Sequence, residues 1–389
     1  MKILESTKDT FADVFGAHAA AAGIAPGRVE VLGNHTDYNE GFILSAAIDR
    51  HIVLCGRPVQ GDTARLYSAA FRKTAEFSVK DPQKNDKDFW VNYIAGVVSA
   101  LKERGIRVGG FEAVVDGNVP LGSGLSSSAA LEVATLKFLQ TVYPFPMDGI
   151  DAALTAQAAE NHFVGVNCGI LDQFSSAMGA KDQLIFLDCR DLRAFSHVPL
   201  GNNAQLVLAN TNAKHALADG TYNRLRESCF AAAKFFAEKI SGKQITHLRD
   251  VTVADFGKLA TGLPEETFKR AKHVITENAR VLTGVEALKS GNLAAMGECM
   301  NGSHLSSRDD FGNSCKELDI MFDCAEGLPG LYGRRLSGGG FGGCTVNLVA
   351  AEAADEFAAK LAERYTEKTG IKPVIHLCRA DNGARGELF

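Results

Sequence analysis

Two stretches of the chain hold the side chains best suited to chemistry. Residues 25–39, APGRVEVLGNHTDYN, crowd Arg28, Asn34, His35 and Asp37 around one turn that follows a short apolar strand. A cation, an amide, an imidazole and a carboxylate set so close together suit recognition of a small polyhydroxylated molecule, whose hydroxyls both donate and accept. Residues 120–129, PLGSGLSSSA, suit an anion instead. Their glycines let the backbone approach closely, and the hydroxyls of Ser126, Ser127 and Ser128 fall where a helix begins, at unpaired N–H groups and the positive end of the helix dipole. Phosphate is the anion this arrangement fits.

The elements that must position these stretches are legible from periodicity. An amphipathic helix is expected over 1–20, a buried strand over 28–32, and β-branched apolar runs over 42–48 and 51–57, then strands over 63–71 and 74–79. Residues 80–87 read as a charged loop, and 89–103 as a helix with Trp90, Tyr93, Ile94, Val97, Val98 and Leu101 on one side. A strand at 111–115 feeds the glycine-serine run, and the helix after it, 127–143, is stopped by Pro144 and Pro146. Helices over 151–163 and 168–178, strands over 184–188 and 205–210 and a largely helical stretch over 222–293 follow. A strand at 344–350, a helix over 351–368 and a strand at 373–377 close the chain. The fold class is α+β with mixed sheets. The balance shifts near residue 180, which divides the chain into an N-terminal lobe, 1–180, and a C-terminal lobe, 181–389.

Composition bounds what the stretches can mean. A chain of 389 residues, 46% hydrophobic, can bury a large core in two lobes. A net charge of −5 supplies none of the basic field that nucleic acid or anionic lipid selects. The first twenty residues lack a signal pattern, and no apolar run approaches the roughly 20 residues that span a bilayer, so a cytoplasmic protein is expected. Nine cysteines, at 55, 168, 189, 229, 299, 315, 324, 344 and 378, form no Cys-x-x-Cys pair and read as reduced thiols.

Several familiar sites are excluded by inspection. The glycine-serine run is not G-x-x-x-x-G-K-[ST], and H-E-x-x-H and G-x-S-x-G do not occur. Asp-Phe-Gly occurs at Asp255 and Asp310 without the companion motifs of a protein kinase. Gly338, Gly340 and Gly343 match G-x-G-x-x-G, but they precede a strand where a dinucleotide fold needs a strand-to-helix turn.

GRVEVLGNHTDYNEG (27–41), PLGSGLSSSAALEVA (120–134) and LSGGGFGGCTVNLV (336–349) together resemble, in order, the three motifs of the GHMP small-molecule kinases. His35-Thr-Asp-Tyr-Asn39 is similar to the galactokinase family in particular, and the likeness runs on through Glu160-Asn-His-Phe, Cys168-Gly-Ile-Leu-Asp-Gln173 and Tyr222. The resemblance implies a two-lobed GHMP fold with mixed sheets and flanking helices, its active site in the cleft between the lobes. It also implies transfer of the γ-phosphoryl group of ATP to the anomeric hydroxyl of a sugar, with Mg²⁺ neutralising the phosphates.

By the same resemblance, ATP lies against Gly122, Ser123, Gly124, Leu125, Ser126, Ser127 and Ser128, with Trp90 near the adenine and Ser68 a further contact. Ser128 and Glu160 hold Mg²⁺. Asp172 accepts the proton of the reacting hydroxyl or stabilises the oxygen as it becomes alkoxide-like, and Arg28 beside it keeps that carboxylate charged. The competing reading of Arg28 and Asp172 is a buried ion pair without chemical work; that of Trp90 is plain packing. Asn34, His35, Thr36, Asp37, Gly169, Asp172 and Tyr222 are the implied sugar contacts. No partner other than sugar and ATP is implied, and the chain is expected to be a monomer.

One departure bears on the substrate. Asn34 stands where that family carries a Glu implied to contact the exocyclic 6-hydroxyl. An amide keeps an acceptor, adds donors and removes the charge. Galactose is the first expectation. Galacturonate, fucose, arabinose and N-acetylgalactosamine are the alternatives within the class, and a sugar- and ATP-dependent sensor or a Rossmann oxidoreductase those outside it.

Overall fold

The computed structural model of the protein describes residues 1–120, 123–213 and 221–389, with the side chains of Thr221 and Tyr222 outside that description. The chain opens with α1 (Lys2–Phe15), ended by Gly16 in the left-handed conformation with φ 63. This left-handed cap is why the helix expected over 1–20 stops early. Next come β1 (Ala21–Leu32), β2 (Phe42–Pro58), β3 (Thr63–Ser68), β4 (Lys73–Ser78), α2 (Val91–Glu103), β5 (Phe111–Gly117) and α3 (Ser127–Val142). They are followed by α4 (Gly149–Ala158), α5 (Leu171–Met178), β6 (Gln183–Asp188), β7 (Phe195–Pro199) and β8 (Ala204–Asn210). A helical run holds α6 (Thr221–Lys239), α7 (Val253–Leu259), α8 (Glu265–Lys289), α9 (Leu293–Ser306) and α10 (Lys316–Cys324). Then β9 (Leu331–Leu336), β10 (Cys344–Ala350), α11 (Ala354–Thr369), β11 (Val374–Cys378) and β12 (Arg385–Leu388) complete the order.

Two sheets organise these elements. The first runs β12-β1-β2-β5-β3-β4, with β6 added to β2 and β7 to β6; β3 and β5 are parallel and its other pairs antiparallel. The second, β11-β8-β10-β9, is antiparallel throughout, so only the first sheet is mixed. The two runs expected at 42–48 and 51–57 are a single strand. β1 pairs along both halves of β2, with register shifts between Pro26 and Arg28 and between Glu30 and Leu32, and so keeps them on one ladder.

β1 is buried at every position. It is covered by α3, whose Ala129–Ala130 and Ala134 keep it thin enough to lie close. A Cβ on Gly23 of β1 would sit 1.9 Å from the Ala134 carbonyl oxygen, so this contact is backbone on backbone. The helix expected over 151–163 is α4 followed by a π-helical turn, Ala159–Val164, which Gly165 ends with φ 98. The helix expected from 168 begins only at Leu171. No helix among the described residues is long and apolar enough to cross a membrane.

Candidate active site

Arg28 and Glu30 lie two positions apart on β1, on one side of the strand. The turn that follows is held from outside. Glu277 of α8 accepts the backbone N–H groups of Gly33 at 2.9 Å and Asn34 at 3.3 Å, together with the Ser303 hydroxyl and Arg280. Burial opposes ionisation of Glu277, but Arg280, His273 and Arg335 outweigh it and hold the carboxylate well below its ordinary range. His273 donates from Nε2 to the Asn34 carbonyl at 3.1 Å. A helix some 240 positions down the chain thus sets the shape of the turn.

Asn34 is 1% exposed and its amide is fully used by protein. Nδ2 donates to Glu30 Oε1 at 2.9 Å and to the Gly338 carbonyl at 2.8 Å, while Oδ1 accepts from Asn313 at 2.8 Å and Ser307 at 3.3 Å. A carboxylate here would meet Glu30 and lose both donors. Asn34→Glu is therefore expected to lower folding stability by about 2–4 kcal/mol, read as a fall in the urea midpoint at unchanged m-value. Thr36 is likewise internal, its hydroxyl bonded to the carbonyls of Gly33 and Phe42.

Both ring nitrogens of His35 meet protein. The Gly339 carbonyl at 3.2 Å can only accept, so Nε2 bears the proton and Nδ1 accepts from Tyr38 at 2.9 Å. Burial, with the nearby His273 adding to it, lowers its pKa to about 3, so the ring is neutral. Asp37 keeps Oδ1 on the Tyr38 N–H at 2.9 Å. Burial raises its pKa to about 7.

Arg28 and Asp172 meet across 144 residues. Nη2 and Nε of the guanidinium lie 2.7 and 2.8 Å from Oδ1, and Nη1 donates to the Gly124 carbonyl at 2.6 Å. The other carboxylate oxygen accepts from Ser126. Ser126 was expected to face phosphate; it caps α3 in the left-handed conformation, φ 55, which aims its hydroxyl at Asp172.

These groups border a cavity of about 700 Å³, lined by Arg28, Asn34, His35, Asp37, Gly124, Gly169 and Asp172 among the expected residues. Glu30, Cys168, Asn223, Phe341 and the glycines at 338–340 and 342–343 line it as well and were not assigned from sequence. Glu30 could have been found from the two-residue period that pairs it with Arg28. The glycines of the third motif face the glycine-serine run of the second: a Cβ on Gly338 would lie 3.4 Å from the Gly124 carbonyl oxygen and one on Gly343 3.3 Å from that of Ser123.

The remaining expected residues among those described lie off this cavity. Ser123 turns its hydroxyl to the Pro120 carbonyl at 2.7 Å, and the Leu125 carbonyl accepts the Arg28 N–H at 3.1 Å. Ser127 opens α3 and Ser128 follows it; the Ser128 side chain lies near enough to Glu160, on the π-helical turn, to favour its charged form. Gln173 bridges that carboxylate, at 2.6 Å, to Glu132 at 3.1 Å. Burial and the Asp172 charge raise the Glu160 pKa to about 7. A hydroxyl beside a carboxylate is an oxygen donor set that fits Mg²⁺, which takes one or two carboxylates and fills its shell from phosphates and water. Ser68, on β3, accepts the Phe71 N–H at 3.4 Å. Trp90 caps α2 and packs partly buried against the main core, its Nε1 without a partner. Neither touches the cavity, because each sits where the first sheet and α2 build core. Gly122 and the Tyr222 side chain lie outside the described residues.

Comparison with known proteins adds three family matches. Residues 9–58 match the galactokinase galactose-binding signature, 92–180 the N-terminal domain of the GHMP kinases and 285–367 their C-terminal region. The structure of Lactococcus lactis galactokinase in complex with galactose is similar over 98% of this chain and 99% of that one, at 32% identity and a TM-score of 0.93. A mevalonate kinase from Methanococcus jannaschii is 18% identical over 94% of this chain and 99% of its own, at 0.67. The D-glycero-D-manno-heptose 1-phosphate kinase of Bacteroides thetaiotaomicron is 16% identical over 95% and 99%, at 0.62. These last two share the α+β fold.

Proposed function

Since the chain belongs to the galactokinases, within the GHMP kinases, we propose that it transfers the γ-phosphoryl group of ATP to the anomeric C1 hydroxyl of galactose, giving galactose 1-phosphate and ADP. The observation that carries this reading is the Asp172 carboxylate, fixed on one oxygen by Arg28 and on the other by Ser126 at the wall of a cavity that also holds Asp37. In this reading Asp172 accepts the proton of the C1 hydroxyl or stabilises the oxygen as charge develops there. Arg28 both orients that carboxylate and offsets charge in the transition state. Its bond to the Gly124 carbonyl ties the proton acceptor to the loop proposed to cradle the phosphates.

Asp37 is the proposed acceptor for ring hydroxyls, with His35, the Gly169 backbone and Tyr222 beside it. Epimers are rejected because a misplaced hydroxyl leaves such a group buried and unpaired. Use of ATP follows from the family. Ser128 and Glu160 are the proposed Mg²⁺ ligands; when bound, the cation neutralises phosphate charge. The chain is proposed to act in the cytoplasm and as a monomer, every group named coming from one polypeptide. The division into lobes at 1–180 and 181–389 is part of the proposal, with β6, β7 and β12 as later segments that return to the first sheet.

The test is transfer of radiolabelled γ-phosphate from ATP over galactose, galacturonate, fucose, arabinose and N-acetylgalactosamine, with the phosphorylated position identified. Galactose is expected to give the highest kcat/KM and a C1 product. Sugar and nucleotide binding without transfer would overturn the reading in favour of a sensor.

The raised pKa of Asp37 sets a pH dependence. The Asp37 carboxyl accepts hydrogen bonds from hydroxyls on both oxygens, and as a charged acceptor, only when ionised, and half of it is protonated near its pKa of about 7. Galactose affinity of the nucleotide-free protein is therefore expected to rise between about pH 6 and pH 8 and to level off above that. Isothermal titration across this range measures it, and a flat profile would remove Asp37 from the role.

A further inference from the structure

With the Asn34 amide saturated by protein, the acceptor at its end of the cavity is a different residue. Glu30 is 3% exposed, yet its carboxylate lines the cavity. Oε1 accepts from Asn34 Nδ2 at 2.9 Å and from Arg335 Nη1 at 2.8 Å. Oε2 takes no donor among the described residues and is not sealed off by protein, which leaves it open to the cavity.

Burial raises the pKa of Glu30, Arg335 and Arg28 oppose the rise, and the buried counter-ion in contact with the carboxylate favours its charged form. Arg335 is fully buried, and Glu30 is its one ion pair among the described residues; its Nε and Nη2 find no partner. A guanidinium does not lose its proton, so a neutral Glu30 would strand a buried cation. The pair therefore presents an anionic oxygen to the cavity, beside the amide at position 34.

We propose, resting on the galactose reading above, that Glu30 Oε2 accepts a hydrogen bond from the exocyclic 6-hydroxyl of the sugar, and that its charge excludes sugars carrying a carboxylate at C6. Position 34 is then a positioning residue, since its Nδ2 holds Oε1 and so turns Oε2 toward the sugar. A neutral amide alone at this end would admit a carboxylate; an anion rejects it because like charges are forced together. The two possibilities give opposite results with galacturonate.

The test compares kcat/KM for galactose, its 6-deoxy analogue and galacturonate in the parent chain and in Glu30→Asp, which keeps the charge opposite Arg335 but withdraws the oxygen by one methylene. A hydrogen bond to a charged acceptor corresponds to roughly ten- to hundredfold, so the parent is expected to prefer galactose over the 6-deoxy sugar by that factor, and over galacturonate by at least as much. Glu30→Asp is expected to lose about tenfold on galactose, mainly through KM, and less than about twofold on the 6-deoxy sugar. Equal proportional losses on both sugars, or a parent that uses galacturonate as well as galactose, would overturn the inference. Should Glu30→Asp fail to fold, the three-sugar comparison in the parent decides alone. A parent inactive on galactose but active on another sugar of the panel would overturn the galactose reading, and this inference with it.

Discussion

Replacing Asp172 with Asn lowers kcat about 10²–10⁴-fold while galactose still binds. The amide has the shape of the carboxylate, so its oxygen can keep the Arg28 contacts at 2.7 and 2.8 Å, and Ser126 can reverse its hydrogen bond to accept from the new NH₂. Packing changes little. What is lost is the negative charge and the ability to take a proton, both of which act on the reacting oxygen rather than on ground-state binding. The expected signature is thus a fall in kcat with galactose affinity by calorimetry within a few-fold of the parent and a similar melting temperature. A rate near that of the parent would reduce the Arg28–Asp172 pair to an ion pair that merely joins β1 to α5.

Gly169→Ala raises the KM for galactose about a hundredfold, the scale of a 1 Å misplacement of a positioning group. A Cβ at this position would lie 1.6 Å from Asp37 Oδ2 and 2.9 Å from Oδ1. The carboxylate cannot swing aside freely, because Oδ1 is tied to the Tyr38 N–H at 2.9 Å. The collision therefore displaces the proposed acceptor of the ring hydroxyls and leaves Asp172, three residues on, nearly in place. Steady-state kinetics separate the effects: KM is expected to move far more than kcat. Unchanged KM would show that Asp37 does not hold the sugar.

Local pattern carried most of the elements near the site and little of its geometry. Residues 63–79 were legible as two strands because alternation and a short polar break are local signals, and β3 and β4 lie there. β9, with Arg334 and Arg335 both buried inside LYGRRL, shows no such alternation, since Arg334 is neutralised by Glu326, outside the strand, and Arg335 by Glu30, far along the chain. Glu277 and His273 sit on a helix whose charged pattern reads as a solvated face, yet both are fully buried and shape the turn at 33–36. The convergence of Arg28 on Asp172 spans 144 residues and came from motif resemblance, not periodicity. Ser126 was legible as a helix start, but its left-handed backbone and its bond to Asp172 of α5 depend on a partner 46 residues along the chain.

The π-helical turn at Ala159–Val164 amounts to one residue more than an α-helix would use. Each residue of an α-helix advances the chain by about 100° around the axis. Excising the surplus residue would thus yield a more regular helix, yet it would rotate everything downstream out of phase with Glu160, including the bend that delivers Gly169 and Asp172. Helical regularity and the proposed metal and sugar contacts are in direct competition over that single residue, and the native chain has kept the irregular solution.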